Sequence, residues 1–274
     1  MLAPATTRVS SLVALPKRVL VRLGKIALRA GAHGKPVPLP LLLRLRRFGG
    51  RTNMLNFPTA SIVRTGTALT NTFLAERLAE RRLGDWTISA QAMNLLEAEI
   101  ERRPPRRVLE FGSGISTACL ARYMTEHAPG ASPLVVSIEE EADFCTESGA
   151  LLEELGLDRV ARVHHVPLAR KDVAGRSVSA YDLPLELAQE LRSSQPDLVF
   201  IDGPGMAGGR FARWAVLHLI LPLLPGGFRF YLDDALSDSS LEYARLWSEL
   251  PGVRVDGISL VGHGVLVGEY AGAG

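Results

Sequence analysis

One ten-residue stretch, Val108-Leu-Glu-Phe-Gly-Ser-Gly-Ile-Ser-Thr117, joins an apolar run to a glycine-rich turn. The run predicts a buried strand, and a helix is predicted to begin near Ser116. Gly112 and Gly114 can adopt backbone angles closed to other residues, so the main chain there can approach a ligand closely. The first N–H groups of the helix have no helical partner and can bind a ligand. The stretch therefore predicts a nucleotide-like ligand at a strand-to-helix turn.

Four further apolar runs follow this turn, and helical patterns fill the gaps between them. This alternation predicts an α/β fold with a parallel sheet. Ligands of such sheets lie outside the carboxyl ends of the strands. Acidic residues come directly after three of the runs, at the ends where a ligand is expected. The runs are residues 134–138, which end before Glu139; 160–166; 197–201, before Asp202; and 227–232, before Asp233 and Asp234.

Residues 84–270 resemble the class I methyltransferases that depend on S-adenosylmethionine. The resemblance is strongest to small bacterial members with a Val-Leu-Glu-Phe-Gly-Ser-Gly-x-Ser-Thr loop, an Ile-Asp-Gly-Pro turn and a Gly-Gly-x-x-x-Leu-Asp-Asp strand end. It implies a doubly wound, mostly parallel sheet of seven strands with an antiparallel last strand. Residues 254–268 agree with this antiparallel strand, because they form two strand-like segments separated by Gly262-His263, a pattern typical of a hairpin. Ser116 replaces the family's usual third glycine, as it does in relatives that methylate hydroxyl groups.

The resemblance also implies roles for the residues of the turn and of the second strand end. Glu110, with the main chain of Gly112, Ser113 and Gly114, would hold the methionine end of S-adenosylmethionine. Glu139 would accept hydrogen bonds from both ribose hydroxyls. These residue types suit the roles, because an ionised carboxylate only accepts hydrogen bonds and interacts favourably with an ammonium group. Glu139 is also the first of three consecutive glutamates, a pattern common on solvated surfaces.

Asp202, Asp233 and Asp234 suggest a metal site, because catechol-type O-methyltransferases place acidic ligands at the ends of the same two strands. Three carboxylates suit Mg²⁺ or another divalent cation, which would orient the acceptor hydroxyl. The alternative is that Asp202 only contacts the cofactor or caps a helix, while Asp233 and Asp234 cap the following segment. The lysine base of the catechol-type enzymes is absent after Asp202, where this chain has Gly205-Met206. The base is therefore unassigned, and Asp202 and Asp234 are the catalytic candidates.

The charge distribution marks a basic arm (1–52), and the resemblance implies a methyltransferase domain (84–274) with the segment between them (53–83) as a lid over the substrate. Residues 1–75 contain twelve Lys or Arg and no acid, whereas all 29 acids lie beyond them. Residues 16–30 place apolar and basic side chains on separate helical faces, a pattern typical of helices on anionic membrane surfaces. Docking on the acidic domain and a transit peptide are the alternatives. We expect a cytoplasmic protein, peripheral on the membrane through residues 8–51.

Three other functions compete with methyl transfer. Ser116, Asp233 and His263 occur in the chain order of an α/β-hydrolase triad, although Ser116 lies past the tight turn. A dinucleotide-binding oxidoreductase would more naturally carry a third glycine. A non-catalytic module could bind nucleic acid or membrane through the arm, but the arm lacks the aromatic residues of a stacking platform, so nucleic acid is not expected. The sequence therefore favours O-methylation of a small or lipid-linked hydroxyl acceptor.

Overall fold

Strands and helices alternate along the chain, as predicted. The computed structural model describes residues 35–48, 68–79, 88–128, 130, 132–205 and 208–273. The strands are β1 Val108–Phe111, β2 Val135–Glu139, β3 Ala161–His165, β4 Leu168–Val173, β5 Arg176–Tyr181, β6 Leu198–Ile201, β7 Phe228–Leu232, β8 Val253–Ser259 and β9 Val265–Tyr270. The helices are α1 Leu39–Phe48, α2 Thr72–Leu78, α3 Ala90–Arg102, α4 Ile115–His127, α5 Ala142–Glu154, α6 Leu185–Ser194, α7 Ala212–Ile220 and α8 Asp238–Trp247.

Seven of these strands form one sheet in the order β3-β2-β1-β6-β7-β9-β8. The first five are parallel, with Val108 of β1 opposite Val135 of β2 and Leu198 of β6. β9 runs antiparallel to both β7 and β8, so it enters between them as a hairpin with β8. The predicted sheet of seven strands with an antiparallel last strand is therefore confirmed.

The two faces of the sheet carry separate hydrophobic clusters, because successive side chains of a strand point to opposite faces. Val108 packs in one cluster with α2, α3, α4 and α5. Leu109 and Phe111 pack in the other cluster with α1, α6, α7 and α8. Glu110 lies two residues after Val108, so its side chain points to the same face of the sheet. This face carries α4, the helix that follows the glycine-rich turn.

A two-stranded hairpin, β4 and β5, was not predicted from the sequence. It turns at Ala174 and Gly175, which both have positive φ, 49° and 75°. Strand β4 contains Arg170, Lys171 and Asp172 in a row. The alternation of apolar and polar residues that indicates a strand is therefore weak in this hairpin. The hairpin matters for the site because Tyr181, at the end of β5, is buried beside Phe111 with ring centroids 5.3 Å apart.

The N-terminal segments are described only in part. Val37 and Ile258 exchange two main-chain hydrogen bonds, of 2.8 and 3.0 Å, which add a bridge to the outer edge of β8. Leu39 and Leu42 of α1 are buried in the same cluster as α8. The predicted amphipathic helix at 16–30 and most of the lid segment (53–83) lie outside the described residues. Among those that are described, no helix combines the length and apolar content that crossing a bilayer requires.

Candidate active site

The candidate site lies at the carboxyl ends of the parallel strands, where the strand order reverses. β1 stands between β2 and β6, and the segments after β1 and β6 lead to α4 and α7 on opposite faces of the sheet. Such a reversal opens a crevice in which α/β proteins bind ligands. The topology places the Gly112–Gly114 turn and the predicted acidic residues at this edge, as the sequence indicated.

The turn after β1 packs main chain against main chain on the turn after β6. Asp202 N and Gly203 N both donate to Phe111 O, at 2.8 and 2.6 Å. A Cβ on Gly112 would lie 2.7 Å from Gly203 N, so this glycine is required for packing. Gly114 differs, because nothing lies within 4 Å of the position that its Cβ would take. The main chain is therefore open to a ligand at Gly114.

Glu110 is completely buried beneath this turn. Its Oε2 accepts a hydrogen bond from Thr117 Oγ1 of α4 at 2.6 Å. Its Oε1 has no partner within the described part of the chain. Burial raises the pKa of Glu110 to about 7, and nearby hydroxyl groups offset only part of that rise. A buried carboxylate with one unpaired oxygen fits a ligand that brings a cation or a hydrogen-bond donor.

Glu139, at the end of β2, holds the glycine-rich turn in place. Its Oε2 accepts from Ser113 N at 2.6 Å and from Ser113 Oγ at 2.9 Å. Its Oε1 accepts from Glu141 N at 3.0 Å. A carboxylate has about four acceptor positions, so about one is left for a ligand hydroxyl. Burial raises the pKa of Glu139, and the N–H groups of Glu141 and Ser113 oppose that rise.

Glu140 links three segments of the site, a role that the sequence did not suggest. Its Oε2 accepts from Tyr181 Oη at 2.7 Å, and its Oε1 accepts from Gly205 N at 2.6 Å. The carboxylate thus ties the β4–β5 hairpin to the loop after β6. Sequence reasoning missed Glu140 because it stands between two other glutamates and both of its partners are remote in sequence.

Arg213, in the first turn of α7, lies between Asp202 and Asp234. One guanidinium nitrogen donates to Asp234 Oδ2 at 3.1 Å, and another lies 3.6 Å from Asp202 Oδ1. Nε donates to Pro204 O at 3.0 Å. Burial raises the pKa of Asp202 to about 6, with Arg213 opposing the rise and Asp234 adding to it. Arg213 is the main residue of the site that the sequence did not reveal.

Asp233 and Asp234 are neighbours in sequence with different surroundings. Asp233 is buried, and its Oδ1 has no hydrogen-bond partner among the described residues. Burial, with Asp202 and Asp234 close by, raises the pKa of Asp233 well above its ordinary value. Asp234 is partly exposed, and its Oδ1 lies 3.2 Å from Nδ1 of His263. The cap of α8 is Ser237, so neither aspartate has the capping role considered above.

The hydrolase interpretation does not fit this geometry. Ser116 lies buried in the first turn of α4. His263 contacts Asp234 rather than Asp233. No hydrogen bond within the described residues joins Ser116 to His263. A nucleophile needs its base within hydrogen-bond reach, and that arrangement is absent from this part of the chain.

The three aspartates do not fit a divalent cation in this arrangement. Mg²⁺ requires oxygen ligands that converge on one point at about 2.1 Å. Asp202 and Asp234 instead turn oxygen atoms toward the guanidinium of Arg213, which already supplies a positive charge. Among the described residues, the group of three His and carboxylate ligand atoms that lie within 4.8 Å of one another is another cluster, on α3 and α4: Glu97, Glu126 and His127.

The Glu97 and Glu126 carboxylates of that other cluster already have partners. Asn71 Nδ2 donates to Glu97 at 3.1 Å and to Glu126 at 2.7 Å. Arg122 lies 2.5 Å from the second oxygen of Glu126. These contacts dock α2 onto α3 and α4, so we assign the cluster a structural role.

Comparisons with known proteins agree with the fold. A model of the protein-L-isoaspartate(D-aspartate) O-methyltransferase family matches residues 79–167, which contain α3 to β3. A search of curated proteins found no match. The family model thus covers the glycine-rich turn and Glu139 but neither Asp202 nor Asp234.

Two solved structures resemble the whole domain. A methyltransferase from Podospora anserina, bound to S-adenosylhomocysteine (SAH), is 15% identical, with 80% of this chain and 95% of that chain covered and a TM-score of 0.54. An O-methyltransferase from Bacillus cereus, in complex with SAH, is 19% identical, with 79% and 98% covered and a TM-score of 0.52. At these identities the likeness concerns the fold. The predicted fold of the class I methyltransferases is confirmed.

Proposed function

We propose that this chain, a class I S-adenosylmethionine-dependent methyltransferase by fold, methylates an oxygen atom of a small or lipid-linked hydroxyl acceptor. The observation that carries the proposal is the pairing of an open main chain at Gly114 with the unpaired buried oxygen of Glu110. Together they offer an unobstructed stretch of main chain and a carboxylate at the point where the strand order reverses.

The charge of the site favours a cationic cofactor. S-adenosylmethionine supplies a methyl group on a positively charged sulfur and carries an ammonium group as well. Glu139 and Glu140 place negative charge around the turn, and Glu110 adds to it when its carboxyl group is ionised, which attracts such a molecule. The pyrophosphate of a dinucleotide would be repelled by the same carboxylates. Glu110 is the proposed partner of the ammonium, and the remaining acceptor position of Glu139 is proposed for a ribose hydroxyl.

Oxygen is the proposed acceptor atom, and a hydroxyl the proposed acceptor group, on three grounds. The matching family model and the Bacillus cereus structure are both described as O-methyltransferases. Ser116 occupies the position at which hydroxyl-methylating relatives also depart from glycine. A neutral hydroxyl also suits the acidic edge formed by Asp202, Asp233 and Asp234 better than a carboxylate, which these residues would repel. Since the aspartates do not fit a metal ion here, we derive no step through a metal.

Two further assignments complete the proposal. In this proposal the lid segment (53–83) closes over the acceptor, as the resemblance to the methyltransferases implies. The basic residues between 8 and 51 would attract an anionic membrane surface and bring the site near a lipid-linked acceptor. The expected cytoplasmic location, peripheral on the membrane, is part of the same proposal.

Transfer from a methyl-labelled donor tests this function. The full chain would be incubated with catechol, benzoate and benzylamine as hydroxyl, carboxylate and amine probes. We expect a base-stable label on catechol, because an aryl methyl ether survives mild alkali whereas a methyl ester does not. Glu110→Gln should lower transfer, and Glu101→Gln, on the exposed face of α3, is the matched control. Label on benzylamine alone would contradict O-methylation.

A further inference from the structure

We infer that His263 is the general base that removes the proton from the acceptor hydroxyl, held for this role by Asp234 and Arg213 in a site that uses no metal ion. This inference rests on the proposed methyl transfer and adds to it the residue that activates the acceptor.

The His263–Asp234 pair gives the imidazole a defined orientation. Nδ1 lies 3.2 Å from Asp234 Oδ1. An ionised carboxylate can only accept a hydrogen bond, so Nδ1 carries the proton in this contact. Nε2 is then the unprotonated nitrogen, and it has no hydrogen-bond partner among the described residues. Because the two nitrogens lie on different sides of the ring, Nε2 points away from Asp234. The His263 side chain is 55% exposed, so an acceptor can reach it.

The main chain holds His263 next to Asp234. Ala235 N donates to Gly264 O at 2.9 Å, and Leu236 N donates to His263 O at 3.2 Å. These two bonds join the β8–β9 turn to the segment after β7. A Cβ on Gly264 would lie 2.6 Å from Leu236 Cγ, so the two segments are in close contact. The base is therefore placed on a packed turn at the carboxyl edge of the sheet.

Arg213 supplies the positive charge that a metal ion would otherwise bring. Its side chain is 19% exposed, and its guanidinium contacts Asp234 on the oxygen that does not face His263. With Oδ2 on Arg213 and Oδ1 on His263, Asp234 is oriented from both sides. Asp234 and Arg213 are thus positioning residues, and His263 is the catalytic residue.

The reaction balances with these groups. His263 Nε2 takes the proton of the acceptor hydroxyl while the oxygen lone pair forms the new O–CH₃ bond. The S–CH₃ bond breaks, and its electron pair stays on sulfur, which becomes a neutral thioether. The positive charge of the sulfonium ends on the imidazolium, where Asp234 stabilises it. The proton then leaves to solvent, and no oxidant, reductant or metal is needed.

The orientation can be measured without knowing the acceptor. Long-range proton–nitrogen NMR of the full chain, labelled at its histidines and saturated with SAH, reports which ring nitrogen carries the proton. His263 should be in the Nδ1–H form and should shift toward the Nε2–H form in Asp234→Ala. His165 is an internal control, because its Nε2 faces Glu140 O at 3.2 Å and should carry a proton in both proteins. An unchanged His263 tautomer in Asp234→Ala, or an Nε2–H form in the wild type, would overturn the inference.

Methyl transfer to catechol supplies the second readout. His263→Gln should lower kcat by about 10²-fold or more, the usual contribution of a general base, without changing the SAH dissociation constant. His127→Gln is the matched control. Arg213→Lys should lower kcat by an intermediate amount, because lysine keeps the positive charge but lacks the several N–H donors of the planar guanidinium. Equal turnover in His263→Gln, or loss of turnover with EDTA that Mg²⁺ restores, would overturn the inference. Failure to bind SAH would instead reject the proposed function. If catechol is not methylated, the NMR measurement of the His263 tautomer still tests the orientation of the imidazole.

Discussion

Gly112 and Gly203 lie in direct main-chain contact, so the turn after β1 and the turn after β6 cannot move independently. A Cβ on Gly203 would lie 2.7 Å from Gly112 N and 2.5 Å from the hydroxyl of Tyr181. The loop that carries Asp202 is thereby fixed against the loop that we assign to the cofactor. Because neither glycine has a side chain, the turn after β1 and the turn after β6 can lie in direct main-chain contact.

The first prediction follows from this contact. Gly203→Ala should destabilise the protein and weaken S-adenosylmethionine binding, because the added methyl group forces the two turns apart. Overpacking of this kind costs about 1 to 3 kcal/mol. Gly149→Ala in α5 is the matched control, since nothing lies within 4 Å of its Cβ position and alanine favours a helix. Thermal unfolding and calorimetry would measure both effects, and equal melting temperatures for the two variants would contradict the packing argument.

Much of the sheet was predictable because most of its parallel strands are short apolar runs bounded by polar or turn residues. The parallel arrangement followed from the alternation with helical patterns, and it placed the acids after β2, β6 and β7 at one edge. Residues 211–224 carry a helical pattern in the sequence, but α7 ends at Ile220. Pro222 has no N–H group to continue the helical hydrogen bonding, so the helix ends before it.

The contacts within the site were less predictable, because they depend on tertiary packing. Arg213 stands 11 residues beyond Asp202 and 21 residues before Asp234, and nothing in its local sequence indicates that it lies between them. Glu110 and Glu139 were assigned to a ligand, whereas the structure also gives each a partner in the protein, Thr117 and Ser113. Periodicity identifies which strand ends meet, but it does not identify which side chains touch there.

The second prediction concerns pH. The pKa of Glu110 rises from 4.5 to about 7 on folding, chiefly through burial. Between these values the folded protein keeps a proton that the unfolded chain has lost, so this carboxyl lowers stability as the pH rises through the window. Glu110→Gln should match the wild type near pH 4 and exceed its stability at pH 8 by up to about 3 kcal/mol. Denaturant unfolding at several pH values measures the difference, and parallel stability curves would contradict it.

The third prediction separates two roles of Glu139. Glu139→Ala should weaken S-adenosylmethionine binding by about 1.5 to 3 kcal/mol, the scale of hydrogen bonds to a charged group. Part of this loss comes from a less ordered glycine-rich turn, because Ser113 N loses its hydrogen-bond partner. Ser113→Ala is the control, since it removes the hydroxyl contact but keeps the main-chain bond, and it should cost less than about 1 kcal/mol. Calorimetry that gives equal affinities for wild type and Glu139→Ala would remove Glu139 from the binding site.

The fourth prediction concerns the basic arm. Deletion of residues 1–34 should leave cofactor binding intact and abolish sedimentation with phosphatidylserine vesicles. Sedimentation of the full chain should weaken with salt, because each basic residue near the surface contributes about 1 kcal/mol that salt screens. Deletion of residues 1–48 should also lower the melting temperature, because Val37, Leu39 and Leu42 are buried. A full chain that ignores these vesicles at low salt would contradict membrane binding and favour docking on the acidic domain.

The most direct test of the central claim is calorimetric titration of the full chain with S-adenosylmethionine, SAH and NAD. The open main chain at Gly114 and the unpaired Glu110 oxygen predict micromolar binding of the first two ligands. The carboxylates around the turn predict no measurable binding of NAD. Glu110→Gln should weaken S-adenosylmethionine and SAH alike, since both carry the ammonium group. Binding of NAD without binding of S-adenosylmethionine or SAH would contradict the assignment of this chain as a methyltransferase.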